Sequence, residues 1–200
     1  MTDQKEALLE RIVDYVLEHG VTQLTLRSLA ATVDSNNRML LYYFGSREEL
    51  IVAALAGAET RFPSMAHVIT SLDDESRPLD DRLLAAWQTI SDPANLPFHR
   101  LFFEIFGLAG FEQQRFDAFL GEVGSQWIEH VAAAFEHSGV EPARATRFAH
   151  EVVALWRGFQ ATLLTGGDPA VIDRAAREAT RALSDRAADV SSALQNRPSY

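Results

Sequence analysis

The sequence predicts an all-α fold. Apolar residues recur at three- and four-residue spacing through nearly the whole chain. The interruptions carry helix caps, glycines and prolines. No run of alternating apolar residues is long enough for a sheet, and there is no internal repeat or low-complexity tract.

The elements follow in order. Leu8, Leu9, Ile12, Val13, Val16 and Leu17 form the stripe of a first helix that Gly20 stops. Thr25 is placed to cap a short second helix, Leu26–Val33, whose inner face carries Leu26, Leu29, Ala30 and Val33. Asp34 and Ser35 make a turn, and a third short helix covers roughly 36–43. Ser46 with Glu49 three residues on is a capping box that opens a longer fourth helix. Pro63 kinks or ends it, and "LDDESRP" at 72–78 is the clearest break. A helix at about 79–91 follows, then the break "SDPANLP", then the aromatic segment 98–108. A long helix is expected over 113–137, and another from Pro142 to Thr165. "GGDP" stops and restarts the chain, with Asp168 as cap and Pro169 as the first residue of a helix reaching about residue 190. The tail "QNRPSY" is polar and reads as loose.

Two hundred residues, 47% of them apolar, suffice for a real core. The absence of cysteine removes disulfides and thiolate metal sites and fits a reducing, cytoplasmic setting. No apolar run nears the ~18 residues of a membrane span, and the charged N-terminal stretch is unlike a signal peptide. A net charge of -10 argues against non-specific coating of nucleic acid. There is no HExxH, no G-x-S-x-G, no phosphate loop and no metal spacing among the six histidines, so neither catalytic residues nor a cofactor or metal are expected.

The segment 26–47 departs from the overall balance, with Arg27, Arg38 and Arg47 against Asp34 alone. Two short helices joined by a four-residue turn and braced by a longer helix describe a helix-turn-helix, whose second helix enters the DNA major groove by its start. Asn37 and Arg38 stand where side chains reach adenine and guanine edges. Asn36 is suited equally to reading a base or to capping the helix. Thr25, Arg27, Met39, Tyr42, Tyr43, Ser46 and Arg47 complete the expected DNA surface, several of them placed to hold phosphates. Leu40 and Phe44 are the expected buried anchors.

"TLRSLAATVDSNNRMLLYYFGSREELI" resembles the signature of TetR-type transcriptional regulators: T-x-R-x-[IL]-A, a turn, L-Y-x-H-F, then [GS]-[ST]-[KR]-E-x-L. Asp34 replaces the usual turn glycine, Asn36 the serine that often follows, and Leu41 and Tyr43 the frequent tyrosine and histidine. Aspartate tolerates the left-handed conformation better than most residues. The resemblance implies a DNA-binding domain at 1–50, with its helix-turn-helix at about 26–45. It also implies a helical ligand-binding and dimerisation domain at 51–200, reached through a long connecting helix. The expected partners are a pseudo-palindromic double-stranded operator, a small apolar or aromatic effector that releases a repressor, and a second copy of the chain. A helical small-molecule-binding protein with a vestigial DNA-binding head is the alternative.

Trp87, Phe103, Phe106, Trp127 and His130 either line the effector site or fill a core, with Glu104 as a further polar candidate. The family's dimer contact through its last two helices would use Phe148, Val152, Leu155, Trp156, Phe159 and Leu163 on one, and Ile172, Ala176, Ala179 and Leu183 on the other.

Overall fold

The computed structural model describes residues 2–195, so most of the expected loose tail lies outside the described residues. Every regular element among them is helical. The ten α-helices are α1 (Thr2–His19), α2 (Leu26–Thr32), α3 (Asn37–Phe44), α4 (Arg47–Glu59), α5 (Pro63–Asp73), α6 (Leu79–Ile90), α7 (Leu96–Phe111), α8 (Asp117–Glu136), α9 (Pro142–Leu164) and α10 (Pro169–Gln195). Short 3₁₀ turns cover Pro93–Asn95 and Gln113–Arg115. The second of these takes up the start of the helix expected from residue 113.

Pro63 does more than end the fourth helix. It occupies the first position of a separate helix, where its missing N–H costs nothing. The caps read from sequence are formed. Thr25 and Ser46 each make a reciprocal capping box, and Asp168 Oδ1 accepts from Ala170 N at 2.9 Å. Glu141 adds one at α9 by accepting from Ala143 N and Arg144 N.

The chain forms two compact units: residues 1–63 with 96–121, and residues 64–95 with 122–200. The boundary expected at residue 50 falls inside α4. In the first unit α4 packs on α1, α3 and α7. Its buried stripe, Leu50, Ile51, Ala54, Leu55 and Ala58, runs the helix's length and so ties all of it to the head. Close approach of α4 to α1 depends on Gly57, because a Cβ there would stand 2.8 Å from Val13 Cγ2. Ile12, Val13 and Val16 of α1 and Leu101 and Ile105 of α7 complete this core.

In the second unit α10 packs along α9 and α6. Trp87 of α6 is buried here, its indole N–H donating to Asp173 Oδ1 at 3.0 Å. Asp173 also accepts from Arg177 Nε at 2.7 Å. Arg82 is buried too, and donates to the carbonyls of Leu72 (3.1 Å) and Ala134 (3.0 Å) and to Ser138 Oγ (2.6 Å). Those carbonyls end α5 and α8, where helix dipoles concentrate negative potential, so one guanidinium ties two helix ends together.

Candidate nucleic-acid interface

Helices of seven and eight residues have little stability alone, so α2 and α3 depend on their caps and anchors. Thr25 Oγ1 accepts from Ser28 N at 3.1 Å to start α2, and Leu29 and Ala30 bury its inner face. The turn that follows is held by Ser35 N donating to Ala30 O at 2.9 Å. Asp34 sits there with φ 50, the left-handed conformation expected of the residue replacing glycine.

Asn36 resolves in favour of the cap. Its Oδ1 accepts from Met39 N at 3.0 Å, and bidentate reading of adenine would need that same oxygen. Leu40 and Phe44 are buried, as the anchor reading requires. Around the helix from these anchors, Asn37 and Arg38 are exposed, followed by Leu41 at 44% and Tyr42 at 63% exposure. Met39 is half-buried beside them, and Arg27 of α2 is exposed. Tyr43 is partly pinned, its hydroxyl donating to Gln4 Oε1 at 3.3 Å.

Two expected phosphate ligands are turned to other work. Arg47 Nε donates to Leu24 O at 2.9 Å and its Nη2 to Val21 O at 3.3 Å, which fixes the loop before α2. Its Nη1 lies 3.6 Å from Glu48. Ser46 is the cap of α4, and the α4 N-terminus carries Glu48 and Glu49 in its first turn. Glu49 accepts from Ser46 N at 3.0 Å, so a carboxylate already occupies the site a phosphate would take. Leu41, Gln4 and Lys5, which the sequence did not single out, lie on or beside α3. Leu41 is apolar yet lies off the Leu40–Phe44 packing stripe, which was its only signal. Lys5 Nζ sits 5.5 Å from the Phe44 ring centroid, bringing a cation of α1 beside the end of α3.

No protein-family model and no curated protein matches the sequence. Solved structures do. A TetR-family transcriptional regulator from Streptomyces coelicolor superposes with a TM-score of 0.70 at 16% identity, over 94% of this chain and 97% of its own. A TetR transcription regulator from Haloarcula marismortui gives 0.69 at 20% identity, over 93% and 98%. The multidrug binding protein EbrR, complexed with imidazole, gives 0.64 at 21% identity, over 90% of each chain. The chain has the TetR-family fold. The likeness spans both units, so the TetR fold also frames the remaining candidate residues.

Six of the ten expected interface residues on the last two helices of this TetR fold, Phe148, Val152, Trp156, Ile172, Ala176 and Leu183, are buried within the chain itself. A partner cannot cover what its own chain already covers, so these six residues are core. Phe159, Leu163 and Ala179 are half-buried, and Leu155 is exposed. The outer stripe of α9 is instead Glu151, Ala154, Leu155, Gly158 and Thr162, all exposed, and α10 exposes Val171, Arg174 and Glu178.

The expected ligand residues divide between the units. Phe103 and Phe106 are in the first, half-buried beside Phe102. Trp87, Trp127 and His130 are in the second. Trp87 is fully buried with its polar atom satisfied, Trp127 is half-buried, and His130 Nδ1 lies 3.7 Å from Asp73 Oδ1. Glu104 is not free to hold a ligand, since it accepts hydrogen bonds from the loop after α1. No helix among the described residues is long and apolar enough to cross a membrane.

Proposed function

We propose that this protein is a DNA-binding transcriptional regulator that acts as a dimer and releases its operator when a small molecule binds. The observation that carries the reading is the division of α3. Its buried residues are anchors, while Asn37, Arg38, Leu41 and Tyr42 face outward together with donor, acceptor and apolar groups. Arginine suits guanine O6/N7, asparagine adenine N6/N7, and an exposed leucine the thymine methyl. Tyr42 and Arg27 supply groups for phosphates.

Asn37→Ala and Arg38→Ala are each expected to cost ~1–3 kcal/mol on the operator and to relax preference at one base pair. Titration against single-base operator variants reads both quantities. Arg47→Ala is expected to behave differently. Losing its bonds to two loop carbonyls should cost ~1–3 kcal/mol of stability, visible in denaturant unfolding. The salt dependence of DNA binding should keep its slope, because a residue that neutralises no phosphate releases no counterion.

A two-fold dimer reads a pseudo-palindrome when its heads stand ~34–36 Å apart. The exposed stripes of α9 and α10 are the surfaces we assign to this contact, and light scattering at micromolar concentration reports it. The effector acts by preferring a conformation with different head spacing, and weakens DNA binding by that differential affinity alone. That EbrR, with this fold, is a multidrug binding protein supports a small-molecule effector. The experiment that tests the function is a gel shift with DNA flanking the protein's own gene. Retardation that survives excess scrambled competitor supports the reading, and its absence counts against it.

A further inference from the structure

We infer that Glu104, on α7 and some sixty residues beyond the helix-turn-helix, is a positioning residue for DNA recognition. Its Oε1 accepts from Val21 N at 2.9 Å, from Thr22 N at 2.6 Å and from Thr22 Oγ1. Three donors therefore converge on one carboxylate oxygen. Such convergence needs the loop to lie against α7 with its N–H groups pointing outward from α1. Gly20 makes this possible in two ways. Its φ of 74 turns the chain out of α1, and a Cβ there would overlap the Glu104 carboxylate.

The same loop is held from its other side. Arg47 donates to the carbonyls of Val21 and Leu24. Residues 20–24 thus have donors bound by an anion from α7 and acceptors bound by a cation from α4. Charge-assisted hydrogen bonds of this kind are stronger and more directional than neutral ones. A third link runs in parallel: Arg115, just past α7, contacts Glu48 at 3.3 Å, and Glu48 neighbours Arg47.

What the loop leads into gives the clamp its consequence. Thr25, the cap of α2, is the next residue after Leu24. Helix α2 is seven residues long and positions α3 through the turn at Asp34. Without Glu104 the loop keeps only the Arg47 bonds to its carbonyls, while the far end of α2 stays tied to α1 by Arg11 Nε donating to Val33 O at 2.9 Å, so the start of α2 gains freedom about that fixed end. Loss of Glu104 would then blur the placement of Asn37 and Arg38 without removing any group that touches DNA. Sequence-specific contacts, which need precise placement, would suffer more than contacts to phosphate.

This inference rests on the DNA-binding reading, and the test separates the two. An operator is first selected from a random duplex pool with the wild-type protein. Glu104→Ala and Glu104→Gln are then titrated with that operator and with a scrambled duplex, at a temperature where circular dichroism shows both folded. Amide hydrogen exchange at Val21 and Thr22 is followed in parallel. The expected result is an operator affinity about tenfold weaker in Glu104→Ala, with scrambled-duplex affinity unchanged and faster exchange at both amides. Glu104→Gln, which keeps an acceptor oxygen, is expected to recover most of the loss. A purely stabilising role would lower the melting temperature but leave the affinity ratio of the folded protein alone, and that outcome overturns the inference. So does a glutamine variant as weak as the alanine one, or an equal loss on both duplexes. Should alanine at 104 fail to give a folded protein, Thr22→Val removes one donor from the same oxygen and is read instead. A smaller loss of selectivity supports the clamp, and no loss overturns it. A wild-type protein that selects no sequence overturns the DNA-binding reading and the inference with it. Operator binding by the wild type with an unaffected Glu104→Ala overturns the inference alone.

Discussion

Trp87→Ala is expected to lower stability by ~3–5 kcal/mol, close to the largest loss one substitution can cause in a domain of this size. The side chain is 0% exposed. Its ring meets Phe159 edge-on with centroids 5.7 Å apart, and its N–H is bonded to Asp173. Alanine removes the indole, leaves a void in rigid surroundings, and deprives Asp173 of a donor. Trp87→Phe separates the two contributions. It keeps most of the ring volume, loses the hydrogen bond to a half-buried carboxylate, and is expected to cost ~1–2 kcal/mol. Denaturant unfolding measures both, through a shift of the midpoint at unchanged slope. A cost below ~1.5 kcal/mol for alanine would mean that Trp87 borders a space able to collapse or to be filled, as an effector-lining residue would.

The second large effect is expected at Leu40. This residue is wholly buried in an eight-residue helix that cannot persist without its anchors. Leu40→Ala should cost ~2–5 kcal/mol, and specific DNA binding should disappear as α3 loses its fixed orientation. Leu41→Ala is the internal control. Its side chain is 44% exposed, so its removal should change stability by less than ~0.5 kcal/mol while still weakening the operator complex. Two adjacent leucines with opposite profiles, one structural and one functional, are what the division of α3 demands. Loss of stability at Leu41, or its retention at Leu40, would contradict that division.

The features that local chemistry decides were legible in the sequence. The caps at Thr25, Ser46 and Asp168, the turn at Asp34 and Ser35 and the anchors Leu40 and Phe44 each follow from a few consecutive residues, while the left-handed conformation of Asp34 was implied by the TetR resemblance. What depended on distant partners was not. Arg47 looked like a free cation because nothing in its neighbourhood reveals that the carbonyls of Val21 and Leu24 lie within reach. Glu104 looked like a pocket residue for the same reason. Pro63 was ambiguous because proline both ends one helix and begins another, and only the placement of the backbone decides. An amphipathic stripe shows that a helix face is buried, not by what. The dimer contact that the TetR resemblance implies for α9 and α10 therefore falls partly on Val152, Trp156, Ile172 and Leu183, which are core of their own chain.

The most direct test of the central claim, sequence-specific recognition of DNA by α3, is selection of binding sites from a random duplex pool with the full-length protein, followed by footprinting. The expected result is an enriched pseudo-palindrome with half-sites one helical turn apart, about 10–10.5 base pairs centre to centre, or a multiple of it. Asn37→Ala and Arg38→Ala should each lose preference at a symmetric pair of positions within it. A pool that emerges without enrichment, from a protein that is folded and dimeric in the same buffer, would contradict the claim.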